Sequence, residues 1–433
     1  MMEETDAFVA LVQQNFAENG TWDMAAIEKG LREALLNDGC RILEALFNQP
    51  SSLGAHVPKG SLHDYRTRTV HCLLGSFELK RGYYHSEEES GCPMDRVLGL
   101  IDSYSPGLAK SMCRAAGTDG SYDEAEQTLE IYAGVHVPAS QIRRIVQMVG
   151  GDLQNWSLQR NESRCGKVPA LYVSYDGTGV PMRKEETAGR KGKQPGGNSK
   201  SREVKLGCVF TSTTTDEKGN PKRDPQSTTY LARFGSAEEF GLDMLKEARL
   251  RGLGKARCCI VIGDGAHWIW NQASVNFPGA LQILDYYHAR EHLTDLATAL
   301  YPNPDQRDRQ LSEWIPWLDA GEIHRIIKDA EVKKARNGKR RTAAIKEMNY
   351  FRTNAPRMQY AAFKKEGLFI GSGVVEAGCK TVVGKRTKQS GMFWRVDGAQ
   401  NILEIRCSVL SDTYDDYWND RRESEQIQLL GAA

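Results

Sequence analysis

The sequence lacks the features that mark membrane-spanning and secreted proteins. No window of its 433 residues approaches the roughly 18 uninterrupted apolar residues that a membrane-spanning helix needs. The first six residues, 1–6, contain neither the basic nor the apolar region of a signal peptide. We therefore expect a protein that is soluble, has no membrane partner and stays in the cytoplasm.

Paired cysteine motifs are also missing. None of the ten cysteines belongs to a Cys-x-x-Cys pair, which argues against a paired-thiolate zinc site and against a thioredoxin-like redox motif. We interpret the cysteines as reduced thiols, most of them small core residues. His85 and Cys92 are candidates for the remnant of a zinc knuckle, but because no second matched pair is present, the sequence argues against a zinc site there.

An excess of charge of one sign is absent as well. The chain has 57 basic and 56 acidic residues, a net charge of +1, so overall charge gives no argument for binding nucleic acid or an anionic membrane. Three local stretches are basic nevertheless: 183–205 with eight bases and three acids, 328–346 with eight and two, and 380–395 with five and none. Each favours either contact with phosphates or, as is commoner, a solvated surface.

The composition predicts a folded protein of several parts. The chain is 40% hydrophobic and carries 8 Trp, 16 Tyr and 12 Phe, enough for two to four folded units. Apolar spacing predicts helices and a short hairpin near 69–79 in residues 1–95, with a loop over 81–91, and more helices in 96–160. Residues 411–433 form an acidic C-terminal tail.

A helix-turn-helix is predicted at the end of the second region. Residues 125–133 have the pattern of one helix, the glycine-containing segment 134–137 that of a turn, and 138–146 that of a second helix. The start of a recognition helix is where side chains reach base edges and phosphates. The candidates there are Ser140, Gln141, Arg143 and Arg144. A plain helical hairpin with solvated arginines is the alternative.

From residue 168 the periodicity becomes that of an α/β domain. It predicts strands at 171–176, 204–211 and 228–234, a helix at 236–251, a strand at 258–262, a helix at 266–275 and a strand at 280–285. This β-β-β-α-β-α-β order is that of an RNase H-like core, a mixed five-stranded sheet. We assign the core to 168–290 and 370–410, separated by a helical insertion at 291–369.

Two aspartates end strands that such a core places side by side. Asp176 closes the first strand and Asp264 follows the fourth. Hard divalent cations prefer oxygen ligands, and a two-metal phosphoryl-transfer site needs about three carboxylates. Glu376, in the first turns of a helix after a Gly- and Ser-containing segment, is the best third acid. A glutamate at that position alone would more commonly serve the helix dipole.

Several motifs together resemble one family. The segments are 175–181 (YDGTGVP), 263–270 (GDGAHWIW), 283–288 (ILDYYH), 371–376 (GSGVVE) and 390–394 (SGMFW). They resemble the ISKra family of bacterial insertion-sequence transposases, DDE enzymes related to the Mutator type. The likeness covers roughly residues 95–410.

The resemblance implies a catalytic centre and its metals. Asp176, Asp264 and Glu376 match the family's catalytic triad and would bind two Mg²⁺ or Mn²⁺ ions. Asp285 and His288 match an Asp-x-x-His signature near the active site, although a core histidine bonded to a neighbouring acid explains them equally well. Relatives carry a cysteine cluster in the amino-terminal third, where this chain offers only Cys72, His85 and Cys92, which puts zinc binding in doubt.

The resemblance also implies partners. A transposase binds double-stranded DNA, both its transposon ends and its target, acts at least as a homodimer on DNA, and would lie with the bacterial nucleoid. Basic residues of the insertion would follow the transposon end. Further candidates for DNA contact follow Glu376: Lys380, Lys385, Arg386, Lys388 and Trp394. Trp268, Trp270 and Trp394 suit either stacking on an unpaired base or, more commonly, buried packing.

The predicted function is recognition of inverted repeats followed by metal-dependent DNA cleavage and strand transfer. Two alternatives stay open. One is a domesticated nuclease that cuts without joining, and the other is a DNA-binding regulator that has kept the fold without catalysis.

Overall fold

The structure is a computed structural model that describes residues 2–49, 61–85, 90–160, 167–190, 199–217, 219–333 and 338–431. Segments 191–198 and 334–337, parts of two predicted basic stretches, lie outside the described residues, as does Cys165. The chain divides into two compact units. Unit 1 comprises Met1–Leu153 and Thr413–Ala433, and unit 2 comprises Gln154–Asp412.

In unit 1, helices precede and follow a β-hairpin along the chain. The elements of this unit are α1 (Glu3–Asn19), α2 (Met24–Phe47), β1 (Ser61–Cys72), β2 (Gly75–His85), β3 (Ser90–Gly91), α3 (Pro93–Val97), α4 (Pro106–Thr118), α5 (Tyr122–Thr128) with the π-helical segment Leu129–Ala133, the first part of α6 (Ala139–Gln159), and α17 (Tyr414–Gly431).

Unit 2 contains the larger sheet and the remaining helices. Its strands are β4 (Ala170–Pro181), β5 (Ser201–Ser212), β6 (Thr214–Thr215), β7 (Pro221–Lys222), β8 (Thr229–Arg233), β9 (Cys258–Gly263) and β10 (Leu281–Leu284). Its helices are α7 (Ala237–Leu250), α8 (His267–Asn276), α9 (Tyr286–Leu300), α10 (Pro304–Ala320), α11 (Ile323–Lys333), α12 (Gly338–Asn354), α13 (Tyr360–Lys365), α14 (Gly373–Gly378), the π-helical segment Cys379–Gly384, α15 (Lys385–Thr387) and α16 (Val396–Leu410).

A five-stranded mixed sheet organises unit 2, with the strand order β10-β9-β4-β5-β8. β9 is parallel to both β4 and β10, whereas β5 is antiparallel to β4 and β8. The predicted mixed α/β class, the five strands and the pairing of the first strand with the fourth are therefore confirmed.

β4 is the central strand, and its sequence explains its place. Residues 170–175 are buried, as expected for a strand covered on both faces. The hydroxyl of Ser174 donates to the carbonyl oxygen of Ile262 on β9 at 3.0 Å, which satisfies this buried polar side chain. The predicted stop after Asp176 is wrong, because Thr178 continues the ladder opposite Val204 of β5.

The interval 291–369 is helical and shares the core of unit 2. Trp314, Ile326 and Phe351 are buried in the cluster that also contains the strands of the sheet. Two tyrosines bond helices of this interval to the ends of strands: the hydroxyl of Tyr350 donates to the carbonyl of Asp264, and that of Tyr360 to Leu284. The insertion therefore borders the edge where β9 and β10 end.

The hairpin of unit 1 is longer than predicted. Its strands pair from Cys72↔Gly75 at the turn to Ser61↔His85 at the open end. The predicted loop over 81–91 is therefore wrong at 81–85 and also at 90–91, where β3 pairs with β2, and 86–89 lie outside the described residues. Diagonal cation–π contacts of Arg66 with the Tyr83 ring and of Lys80 with the Tyr65 ring accompany the ladder beyond its apolar part. Cys72 and His85 lie at opposite ends of β1 and β2 and cannot bind one zinc ion.

The predicted acidic tail also differs. Residues 414–431 form helix α17, which belongs to unit 1, and Tyr414 and Trp418 of its first turns are buried. The hydroxyl of Tyr414 donates to the carbonyl oxygen of Lys110 at 2.5 Å.

Among the residues that the structure describes, none of the helices combines the length and the apolar character needed to cross a membrane.

Candidate metal and DNA sites

Asp176 and Asp264 lie at the same edge of the sheet. β4 and β9 are parallel and pair up to Ser174↔Ile262, so each aspartate is two residues beyond that last pair. Carboxyl ends of neighbouring parallel strands form the crevice where α/β sheets bind ligands. Both aspartates are half-buried, which leaves their carboxylates accessible.

Each aspartate is oriented by a nearby amide. One carboxylate oxygen of Asp176 accepts from the backbone N–H of Gly177 at 2.6 Å, and one oxygen of Asp264 accepts from that of Ala266 at 2.9 Å. The turn after Asp264 depends on Gly265, whose φ of +101° is a left-handed conformation.

Asp176 also lies near the segment that follows Glu376. Burial first, and then the negative charge of Asp176, raises the pKa of the Cys379 thiol above its usual value. Cys379 is three residues after Glu376 and begins the π-helical segment, so the start of that segment lies near Asp176 of β4.

Asp285, His288 and Glu376 form a compact group at the site. Ligand atoms of Asp285, His288 and Glu376 all lie within 4.8 Å of one another. The fully buried Asp285 caps α9 and accepts from the backbone N–H of His288 at 2.8 Å and from that of Ser372. The Ser372 hydroxyl in turn donates to Oε1 of Glu376 at 2.7 Å, and Nε2 of His288 is 3.8 Å from the same oxygen.

These contacts bring all five predicted catalytic residues to one edge of the sheet. The backbone N–H of Asp285 donates to the carbonyl of Gly263 at 2.8 Å, which places the end of β10 beside that of β9. The observed arrangement differs in one respect from the predicted metal site of Asp176, Asp264 and Glu376. In the described part of the chain, neither Asp176 nor Asp264 belongs to a group of three ligands within 4.8 Å, because their oxygens turn towards local partners.

The donor set suits hard divalent cations. Carboxylate oxygens are the ligands that Mg²⁺ and Mn²⁺ prefer, and an added imidazole nitrogen is compatible with Mn²⁺. The predicted ligands of such ions at this edge are Asp176, Asp264 and Glu376, whereas the residues whose ligand atoms meet within 4.8 Å are Asp285, His288 and Glu376. Asp285, fully buried and already accepting two amide hydrogens, is better placed to orient His288 and Ser372.

A second group also brings three possible ligands together. His292, Asp295 and Glu347 meet the same distance criterion. Nδ1 of His292 is 2.5 Å from Glu347, and the ammonium of Lys346 is 3.0 Å from the other oxygen of that carboxylate. This carboxylate is already neutralised by local partners.

The basic residues after Glu376 separate into two sets. Lys380, Lys385 and Lys388 are exposed, and the Lys388 ammonium donates to the hydroxyl of Thr178 at 2.5 Å. Arg386, in contrast, is fully buried, with its guanidinium 5.2 Å from the ring centre of Trp394. The prediction that Arg386 contacts DNA is therefore wrong for this conformation.

The tryptophans are packed against the protein. Nε1 of Trp394 donates to the carbonyl of Thr387 at 3.1 Å, and the Trp394 backbone pairs with that of Pro181. Trp270 is buried beneath the guanidinium of Arg357. The half-buried Trp268 packs edge-on against Tyr175. These contacts favour the packing interpretation over base stacking.

The predicted helix-turn-helix has its two helices and a turn. α5 and the π-helical segment that follows it end before Gly134, whose φ of +70° permits the turn, and α6 begins at Ala139. Glu126 of the first helix accepts the Ala139 backbone N–H at 2.7 Å and so caps α6. Buried Ile142 and the following apolar residues hold α6 against unit 1.

The outward face of α6 carries the predicted DNA contacts. Ser140 and Arg143 are exposed, and Gln141 is half-buried. Arg144 is less available, because its guanidinium forms an ion pair with Asp102 and donates to the side chain of Gln141 at 3.0 Å. Arg143 is the cation of this set best placed for phosphate.

Two site residues were not singled out from the sequence. Ser372 lies within the 371–376 segment, and a serine before a helix is an ordinary capping signal, so its link between Asp285 and Glu376 was concealed. Tyr350 is far from every motif, and the sequence around it gives no sign of its bond to Asp264. No protein-family model matches this chain, and a search of curated proteins finds no significant match.

Proposed function

We propose that the protein is a DNA transposase whose RNase H-like core carries out metal-dependent phosphodiester cleavage and strand transfer. The observation that carries the proposal is that Asp176 and Asp264 end up at one sheet edge through the register of β4 and β9, and that Asp285 and Ser372 connect Glu376 to the same edge. The strand order, with three antiparallel strands followed by two parallel ones, supports the choice of core.

In this proposal the protein's own residues position the reacting groups. Asp176, Asp264 and Glu376 would hold two Mg²⁺ or Mn²⁺ ions, which activate the attacking oxygen and stabilise the leaving oxygen in an in-line displacement. Asp285 fixes the backbone of His288 and of Ser372, and Ser372 holds Glu376. No covalent intermediate with the protein is needed.

DNA binding is assigned within each unit separately. In unit 1 the exposed face of α6, with Ser140, Gln141 and Arg143, would contact inverted-repeat ends. In unit 2 the exposed Lys380, Lys385 and Lys388 would neutralise phosphates near the site. Joining two ends would require at least a homodimer on DNA.

The deciding experiment incubates the purified protein with a labelled duplex carrying the end of a flanking inverted repeat, with and without Mg²⁺. We expect nicking at the repeat end only with the metal, and joining of the freed 3′-hydroxyl when target DNA is added. Nicking without joining would support the domesticated nuclease. Binding without nicking would support the regulator and refute a catalytic role.

A further inference from the structure

A tyrosine of the helical insertion contacts the turn that bears one of the catalytic aspartates. The Tyr350 hydroxyl, on α12, donates to the main-chain carbonyl of Asp264 at 2.9 Å. A side chain added at Gly265 would place its Cβ 2.7 Å from the Tyr350 hydroxyl oxygen and 2.8 Å from its ring. The ring therefore packs against the turn as closely as a glycine allows.

Other residues hold Tyr350 in this position. Its ring stacks on the imidazole of His292, with ring centres 3.6 Å apart and planes inclined by 22°. His292 belongs to α9, the helix that Asp285 caps, and its Nδ1 is hydrogen-bonded to Glu347, one turn before Tyr350 on α12. The tyrosine is thus fixed from two helices before it reaches the Asp264 turn.

The direction of the bond follows from the chemistry of its partners. A main-chain carbonyl oxygen can only accept, so the Tyr350 hydroxyl is the donor to Asp264.

We propose that Tyr350 is a positioning residue that fixes the Asp264 carboxylate for metal binding, so that the helical insertion takes part in building the metal site. This inference rests on the proposed function. The side chain touches the backbone of Asp264, and its effect reaches the metal through the orientation of that carboxylate.

The test measures metal binding and catalysis separately in Tyr350→Phe, which removes only the hydroxyl. Isothermal titration calorimetry with Mn²⁺ should show a dissociation constant raised by about fivefold, as expected from the loss of one orienting hydrogen bond. The Mg²⁺ concentration for half-maximal nicking should rise similarly, while the rate at saturating Mg²⁺ approaches that of the wild type. A loss confined to the saturated rate would overturn the proposal.

The matched control is Tyr414→Phe, the same change at a buried tyrosine of unit 1 whose hydroxyl also donates to a carbonyl. It should leave Mn²⁺ affinity unchanged; an equal loss in this variant would refute the specific role of Tyr350. Thermal melting of both variants establishes that they are folded. Should Tyr350→Phe melt early, the titration is repeated well below its melting transition, where wild-type Mn²⁺ affinity in the folded variant would refute the proposal.

Failure of this inference is distinguishable from failure of the proposed function. If the wild-type protein nicks DNA and Tyr350→Phe binds Mn²⁺ as tightly as the wild type, only the inference about Tyr350 is refuted. A wild-type protein that binds Mn²⁺ without nicking any repeat-end duplex would refute the transposase, while the calorimetric comparison would still test Tyr350.

Discussion

The three proposed metal ligands differ in how their surroundings hold them. Asp176 accepts a hydrogen bond from the next backbone N–H of its own strand, Asp264 accepts one from an amide of its own turn, and Glu376 accepts one from the hydroxyl of Ser372. Each carboxylate therefore has a set position before any cation binds. Preorganisation of this kind is what a metal site requires of the residues around its ligands.

Replacing any one of these acids by its amide should abolish cleavage. We expect Asp176→Asn, Asp264→Asn and Glu376→Gln each to lower the nicking rate on the order of 10³-fold or more, because ligands of one metal site act as a unit. Binding of repeat ends should stay nearly unchanged in a gel-shift assay.

Asp397→Asn is the control for this series, since Asp397 is an exposed acid in the first turn of α16. It should retain the wild-type nicking rate. Full activity in any of the three amide variants would remove that residue from the site.

The helix that bears Glu376 packs very closely on the sheet. A Cβ at Gly378, the last residue of α14, would lie 2.9 Å from the Tyr230 ring and 3.0 Å from the Leu206 side chain. The absence of a side chain is therefore what lets α14 approach β5 and β8. Glycine at the start of the same helix, Gly373, has nothing within 4 Å of that position.

This asymmetry predicts opposite results for two alanine substitutions. Gly378→Ala should displace α14 and lower nicking by about tenfold to a hundredfold, since small displacements of catalytic groups are costly. Gly373→Ala, which gains helix propensity in open space, should keep the wild-type rate. Nicking assays on both purified variants, with circular dichroism as the check on folding, decide the matter; equal rates would contradict the packing argument.

The segment after β5 carries a carboxylate, Asp224, that bonds back to the end of that strand and to the residue after it. Asp224 accepts hydrogen bonds from the hydroxyls of Thr211 and Thr213 and from the Thr213 backbone. Burial by itself would raise the pKa of Asp224, but these hydrogen bonds outweigh it and hold the pKa below its ordinary value.

The sign of the pH effect follows from that lowered pKa. Because the folded state binds a proton less readily than the unfolded state, Asp224 contributes stability above the ordinary value of 3.8, and the contribution is lost as the pH falls through the folded pKa. Asp224→Asn should therefore melt a few degrees below the wild type near neutral pH, and the gap should close on acidification. A gap that does not change with pH would exclude the carboxylate charge as its cause.

Among the elements, the core was predictable from sequence because its signals are local. Buried runs of apolar residues such as 258–262 identify strands, and the terminal aspartates mark the edge where parallel strands end. Other features depend on tertiary contacts. Three features could not be predicted, because each involves residues far apart along the chain and no local pattern indicates them. They are the burial of Arg386, the pairing of the hairpin out to His85, and the hydrogen bond of Tyr350.

For the whole molecule, near-neutral charge means that the proposed DNA binding would depend on a few local cations. Affinity for repeat ends should fall steeply with added salt, with a slope set by the number of phosphates contacted. Arg143→Ala should reduce the slope of log affinity against log salt by about one. Arg249→Ala, at an exposed cation near the end of α7, should leave the slope unchanged; a loss of the same size there would mean that charge acts without regard to position.

The bond between Asp285 and Ser372 joins residues 87 positions apart, one just before α9 and the other just before α14. The long excursion between them thus departs from the sheet and returns to it at a single point. Because helices of this excursion are buried in the same core as the strands, it is part of the folded unit and not a removable loop. A single proteolytic cut within it would leave two fragments that the shared core and the Asp285–Ser372 bond still hold together.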